Sequence, residues 1–138
     1  MSQMTWTTAQ QAAIDARGQN LLLSAAAGSG KTAVLTERIK KLITDMDDPA
    51  DITELLVLTF TRASAGEMKT RISSGIAKAL SEAEQEQNTP LARHLSRQLA
   101  LMSSAQISTL DSFFQTLIRR YFYLIDLDPN TKMLTDSN

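Results

Sequence analysis

The sequence predicts an α/β fold, a parallel sheet flanked by helices. Three observations carry this. Two short unbroken apolar runs, "NLLLS" at residues 20–24 and "ELLVLTF" at residues 54–60, each precede a long stretch with apolar residues at helical spacing. A third run, "AQIST" at residues 105–109, does the same. Between the first run and its helix lies "AAAGSGKT", a cluster of small residues closed by a lysine and a threonine. Strands alternating with helices of this length imply right-handed crossovers and hence parallel pairing.

The elements follow in order. "TTAQQAAIDA", residues 7–16, opens on threonines suited to an N-cap and runs through good helix formers to a stop at Gly18. "NLLLS" reads as a short buried strand. After the glycines, Val34, Leu35, Ile39, Leu42 and Ile43 recur at helical spacing until the acidic, Pro49-containing stretch ends the helix. "ELLVLTF" is the kind of strand that is covered on both faces in a parallel sheet. Met68, Ile72, Ile76 and Leu80 step by four along one helix face. The polar "SEAEQEQNTP", residues 81–90, is expected to be a gap before a helix bearing Leu91, Leu95 and Leu99. "AQIST" is the third strand, and "DSFFQTLIRRYFYLI", residues 111–125, a helix with a face of Phe113, Phe114, Leu117, Ile118 and Tyr121.

Composition limits the chemistry. With 138 residues, 43% of them hydrophobic and 21% charged, the chain has the apolar content of one globular domain with a core. There is no cysteine and a single histidine, His94, so disulfide scaffolds, thiolate chemistry, His-based triads and multi-His metal sites lack their parts. No apolar run is long enough to span a bilayer and no leader is evident, so a cytoplasmic location without membrane contact is expected. A net charge of -1 argues against a broadly basic coat, yet the distribution is uneven. Asp45, Asp47, Asp48, Asp51 and Glu54 form an acidic stretch, whereas Arg62, Lys69, Arg71 and Lys78 meet only Glu67. That strip is either a local anion-facing surface or the solvated side of an ordinary helix.

"AAAGSGKT", residues 25–32, matches the phosphate-binding pattern G-x-x-x-x-G-K-[ST] with Ala25 in place of the first glycine. Small residues at Ala25, Ala26, Ala27, Gly28, Ser29 and Gly30 let the backbone fold tightly so that successive N–H groups point inward. The following helix presents its positive N-terminus to the same anion. Lys31 would reach the β- and γ-phosphates and Thr32 would place its hydroxyl on Mg2+; Ala33 continues the cradle. The bland alternative is a chance match in a small-residue helix cap, which a strand before and a helix after argue against. Gln10 can both donate to and accept from an adenine edge; its plain alternative is a solvent-facing helical glutamine.

The second apolar run ends on Thr59, Phe60, Thr61 and Arg62, and the carboxyl ends of parallel strands face the ligand crevice. Hydroxyls, a ring and a guanidinium suit phosphate and stacking contacts to single-stranded nucleic acid. Thr109, Asp111, Ser112 and Phe113 repeat the arrangement after the third run. Phe60 and Phe113 also fit the core, which is the commoner place for a phenylalanine.

In this order, "WTTAQQAAI", "AAAGSGKT", "TFTRASAGEMKTRI" and "ISTLDSFF" resemble the Q motif and motifs I, Ia and Ib of UvrD/Rep-type superfamily 1 DNA helicases, and within them the AddA branch of helicase/nuclease proteins. The resemblance covers essentially the whole chain, and "YFYLIDLDP" also looks AddA-like. It implies a P-loop NTPase with a RecA-like motor domain, of which residues 1–138 are the N-terminal part. It further implies ATP and Mg2+ as cofactors, with Gln10 at adenine and Lys31 and Thr32 at the phosphates and metal. Thr59, Thr61, Arg62, Thr109 and Phe113 would lie near a single strand. The partners implied are single- and double-stranded DNA and an AddB-like subunit in a heterodimer, in ATP-driven unwinding of duplex ends during double-strand-break repair. Two departures stand out: Ala33 replaces an arginine that helps hold the base in many relatives, and Asp111 replaces a frequent histidine. A carboxylate repels phosphate, so Asp111 is not expected to be a DNA ligand.

An acidic pair for hydrolysis is not found. The run ending in Asp126 tempts as a Walker B strand, but the preceding aromatic helix runs into it and Pro129 follows. The expectation is therefore a fragment of a larger helicase that hydrolyses little by itself. Two other classes stay open: a small self-contained P-loop nucleotide or metabolite kinase, for which no arginine-rich lid is seen, and a non-catalytic nucleotide-sensing module.

Overall fold

The structure, a computed structural model, describes residues 5–24 and 30–124. Helix α1 (Thr8–Asp15) leads to α2 (Lys31–Thr44), and a 3-10 turn at Ile52–Glu54 enters strand β1 (Leu56–Thr59). Helices α3 (Arg62–Gln85) and α4 (Thr89–Leu101) then carry the chain, through a second 3-10 turn, to strand β2 (Gln106–Thr109). Helix α5 (Leu110–Tyr121) closes the described chain with a 3-10 turn at Phe122–Leu124. The two strands pair in parallel, Leu56 opposite Gln106 through Thr59 opposite Thr109. The α/β class with parallel pairing is as the apolar runs led one to expect.

The main core lies where α2, α3 and α4 meet β1. Ile39, Ile43, Ile52, Val57, Met68, Ile72, Ile76 and Leu95 interlock there. The four-residue step of Met68, Ile72 and Ile76 therefore does mark the buried face of α3. A smaller cluster, Ala13, Ile14 and Val34 with Trp6 and Leu23 against it, clamps α1 onto α2. The approach to β1 is fixed by a buried amide: Gln98 on α4 accepts the Ile52 N–H at 2.8 Å and donates to the Asp51 carboxylate, which also meets Arg97 at 2.9 Å. A buried polar side chain with both ends satisfied specifies one arrangement of α4 on this turn.

Four expectations need correction. Residues 20–24 form no strand, and Leu22 is 92% exposed. A strand persists only where its N–H and C=O groups find a ladder, and among the described residues β1 and β2 pair with each other alone. Cover of β1 on both faces is incomplete: Val57 is buried, but its neighbours Leu56 and Leu58 remain 46% and 38% exposed. The polar gap is largely helix, because α3 continues to Gln85 and buries Ala83. It stops where Gln87 takes φ 57°, with Asn88 N–H on Ala83 O at 2.8 Å and Gln87 N–H on Glu84 O at 3.1 Å, the paired bonds of a left-handed helix stop. Asn88 then caps α4, accepting the Leu91 N–H at 3.3 Å. The last helix ends earlier than residue 125 and buries none of its residues.

Among the described residues no helix is long and apolar enough to cross a membrane.

Candidate nucleotide-binding site

Gly30 opens α2 from the left-handed region, at φ 84° and ψ 15°. This is a conformation that a side chain disfavours, which is why glycine suits the last position before the helix. Its carbonyl accepts the Val34 N–H at 2.9 Å, so the helical ladder begins at once. Lys31 and Thr32 are then the first two residues of a 14-residue helix and both are exposed. The first turn of α2 carries no acidic side chain of its own, and the positive end of a helix favours an anion. Ala25, Ala26, Ala27, Gly28 and Ser29 lie outside the described residues, as does Asp126. What is described fits a phosphate group: a left-handed glycine, a helix N-terminus, a lysine and a hydroxyl in succession.

Gln10 comes to the same place from α1. A capping box holds it: Thr7 Oγ1 accepts the Gln10 N–H at 3.3 Å and Gln10 Oε1 accepts the Thr7 N–H at 2.9 Å. Its amide nitrogen lies 3.6 Å from where a Cβ on Gly30 would stand. The residue is thus a structural cap and a neighbour of Gly30 together.

The strand ends form a second arrangement. Thr61 caps α3 and Thr109 caps α5, and the two caps are built alike. Thr61 Oγ1 accepts the Ser64 N–H at 3.1 Å and donates to Ser64 Oγ at 2.7 Å. Thr109 Oγ1 accepts the Ser112 N–H at 3.2 Å and donates to Ser112 Oγ at 2.8 Å. Parallel register sets Thr59 opposite Thr109, so two helix N-termini start side by side from adjacent strand ends. Thr59 Oγ1 donates to the Thr61 carbonyl oxygen at 3.0 Å, tightening the turn. Each threonine proton is committed inside its own cap, so an incoming phosphate would meet the first-turn N–H groups and the Ser64 and Ser112 hydroxyls instead. A role for Ser64 was missed from the residues alone; its signal is the T-x-x-S spacing shared with Thr109 and Ser112.

Phe60 stands 93% exposed between β1 and α3, which overturns its reading as core. Phe113 is half-buried, its ring 6.1 Å from that of Phe114. Arg62 is exposed, and among the described residues no carboxylate pairs with it. Asp111 is exposed in the first turn of α5, where the helix end favours its charge. Among the described residues no group of three His, Cys, Asp or Glu side chains is gathered for a metal ion.

Residues 6–138 match the UvrD/REP helicase N-terminal domain. Over 133 residues the chain is 53% identical to AddA, the ATP-dependent helicase/nuclease protein of Clostridium novyi, an overlap of 96% of this chain and 10% of that protein. Over 125 residues it is 54% identical to the protein of the same name from Bacillus licheniformis, covering 91% and 10%. Over 137 residues it is 50% identical to that of Lachnoclostridium phytofermentans, covering 99% and 10%. The chain spans about a tenth of the length of these relatives. With the match running from Trp6 to the last residue, the chain belongs to the UvrD/REP helicase N-terminal domain family, a P-loop helicase fold of the α/β class.

Proposed function

We propose that this chain is the ATP-binding part of a DNA motor, the N-terminal portion of the first of two RecA-like domains in a helicase/nuclease protein. The observation that carries the reading is the start of α2, where left-handed Gly30 delivers Lys31 and Thr32 to a helix N-terminus free of acidic side chains. Lys31 neutralises the β- and γ-phosphates, the first-turn N–H groups hold their oxygens, and Thr32 is the protein ligand for Mg2+. The metal, when bound, offsets phosphate charge during transfer. Gln10, held by its cap beside Gly30, reads the adenine edge.

Single-stranded DNA runs over the paired N-termini of α3 and α5. Thr59, Thr61 and Thr109 shape those ends, Arg62 supplies a cation, and Phe60 and Phe113 offer rings to bases. Closing a second motor domain on ATP and reopening it after hydrolysis would move the strand past these contacts. The carboxylates that orient the attacking water belong, on this reading, to the rest of a protein of the relatives' length.

The relatives are named as ATP-dependent helicase/nuclease subunits, which supports ATP use, a nucleic-acid substrate and assembly into a complex. We take the function to be translocation on single-stranded DNA and unwinding of duplex ends in double-strand-break repair, beside an AddB-like partner in the cytoplasm, with any exonuclease activity lodged elsewhere in the protein. Titration of the chain with labelled ATP and with oligo-dT tests it. Binding of both is expected, and ATP binding without DNA binding would favour a kinase or a sensing module. In the full-length protein Lys31→Ala should abolish DNA-stimulated ATPase with the fold intact; retained turnover would defeat the assignment.

A further inference from the structure

We propose that Thr36 is a positioning residue for the nucleotide site: its hydroxyl ties the first turn of α2, and with it Thr32, to Met68 on α3. This rests on the nucleotide reading above and names the support that holds Thr32 toward its metal. Thr32 is exposed and second in α2, so its N–H is among the four that a helix leaves without a ladder partner. The residue is therefore held from its carbonyl side. One turn further along, Thr36 Oγ1 donates to the Thr32 carbonyl oxygen at 2.8 Å and reaches Met68 Sδ at 3.4 Å.

Three observations set this contact apart from that of an ordinary helical threonine. First, a threonine inside a helix commonly bonds back to the carbonyl four residues earlier, but that bond stays within one helix. Here the same proton is shared with a sulfur on a neighbouring helix. Second, the sulfur is a fixed point: Met68 is 5% exposed and belongs to the core cluster with Ile39, Ile72 and Ile76. Third, the charged side chains lining the groove between α2 and α3 pair within their own helices, Lys40 with Glu37 inside α2, Arg71 with Glu67 and Lys78 with Glu82 inside α3. The Thr36 hydroxyl crosses the seam that those pairs leave untied. A first turn free to fray would carry the Thr32 hydroxyl away from a metal, while a polyphosphate would still find the lysine and the N–H groups. The link therefore bears on Mg2+ more than on phosphate.

ATP is titrated into the 138-residue chain by calorimetry, once with excess Mg2+ and once with EDTA. The wild type should bind about tenfold tighter with Mg2+, equivalent to about 1.4 kcal/mol. Thr36→Val keeps the β-branched shape and loses the hydroxyl; its gain from Mg2+ should fall to about threefold or less, with ATP binding in EDTA within about twofold of the wild type. Met68→Leu keeps the volume and loses the sulfur, and should do the same. Thr36→Ser restores a hydroxyl and should recover the full gain. Retained binding in EDTA shows that a variant is folded, and a merely structural role would weaken both titrations alike. An unchanged Mg2+ gain in Thr36→Val or Met68→Leu, or equal losses in the two titrations, overturns the proposal and leaves the nucleotide reading standing. Wild-type affinity indifferent to Mg2+ overturns the proposal while ATP binding stands. Failure of the wild type to bind ATP under either condition overturns the nucleotide reading and this proposal with it.

Discussion

Gly30 is a residue whose conformation can be tested against its chemistry. A Cβ there would meet Gln10 Nε2 at 3.6 Å, an ordinary contact, so the obstacle to a side chain is the φ of 84° and not a clash. Gly30→Ala should cost about 1–2 kcal/mol, seen as a lower urea midpoint with unchanged slope; an unaltered midpoint would mean that the helix start relaxes without strain. The same scale shows what residue types disclose. The proposed phosphate turn is legible in the lysine and threonine after a glycine, because few other uses need that order. Gln10 was legible as a polar group near it, but not as a cap, since the capping box depends on Thr7 adopting extended φ and ψ. Phe60 misled because its residue type points to the core, while its place at a strand end points outward.

At the scale of elements, α3 is the spine of the fold, packing on α2, α4 and both strands. Ile76 is fully buried at its centre, and Ile76→Ala should destabilise the chain by about 2–5 kcal/mol, measured by denaturant unfolding; a loss under about 1 kcal/mol would be less than that class of deletion costs and would mean the core collapses around the gap. The pairing of α1 with α2 has an electrostatic part. The Lys41 ammonium and the Gln11 amide, both bonded to the Asp15 carboxylate, hold it below its ordinary value of 3.8. A carboxyl depressed in the folded state stabilises at pH above its unfolded value and loses that contribution as pH falls through the folded one. The deficit of Asp15→Asn relative to wild type should therefore be present at neutral pH, shrink below pH 3.8, and be reduced by salt because the pair is exposed. A deficit constant from neutral to strongly acid pH would remove the ion pair from the account. Periodicity exposed α3 well over Met68 to Ile76, where packing and pattern agree. It failed from Ser81 to Gln85, since glutamate, glutamine and alanine form helix without an apolar stripe. Residues 20–24 looked like a strand because a leucine run is equally compatible with any segment laid against a core.

For the whole molecule, parallel pairing was foreseeable from alternation, because strands joined by helical crossovers in one sheet run in the same direction. The extent of cover was not: Leu56, Leu58, Phe114 and Ile118 stay partly exposed, and the family's relatives are about ten times longer than this chain. The molecular function rests on whether the start of α2 recognises a polyphosphate tail. Calorimetric titration of the wild type and Lys31→Ala with ATP and with AMP asks this directly. The account predicts that the wild type prefers ATP over AMP by about tenfold or more, equivalent to about 1.4 kcal/mol, and that Lys31→Ala erases the preference; equal affinity of the wild type for ATP and AMP would contradict it.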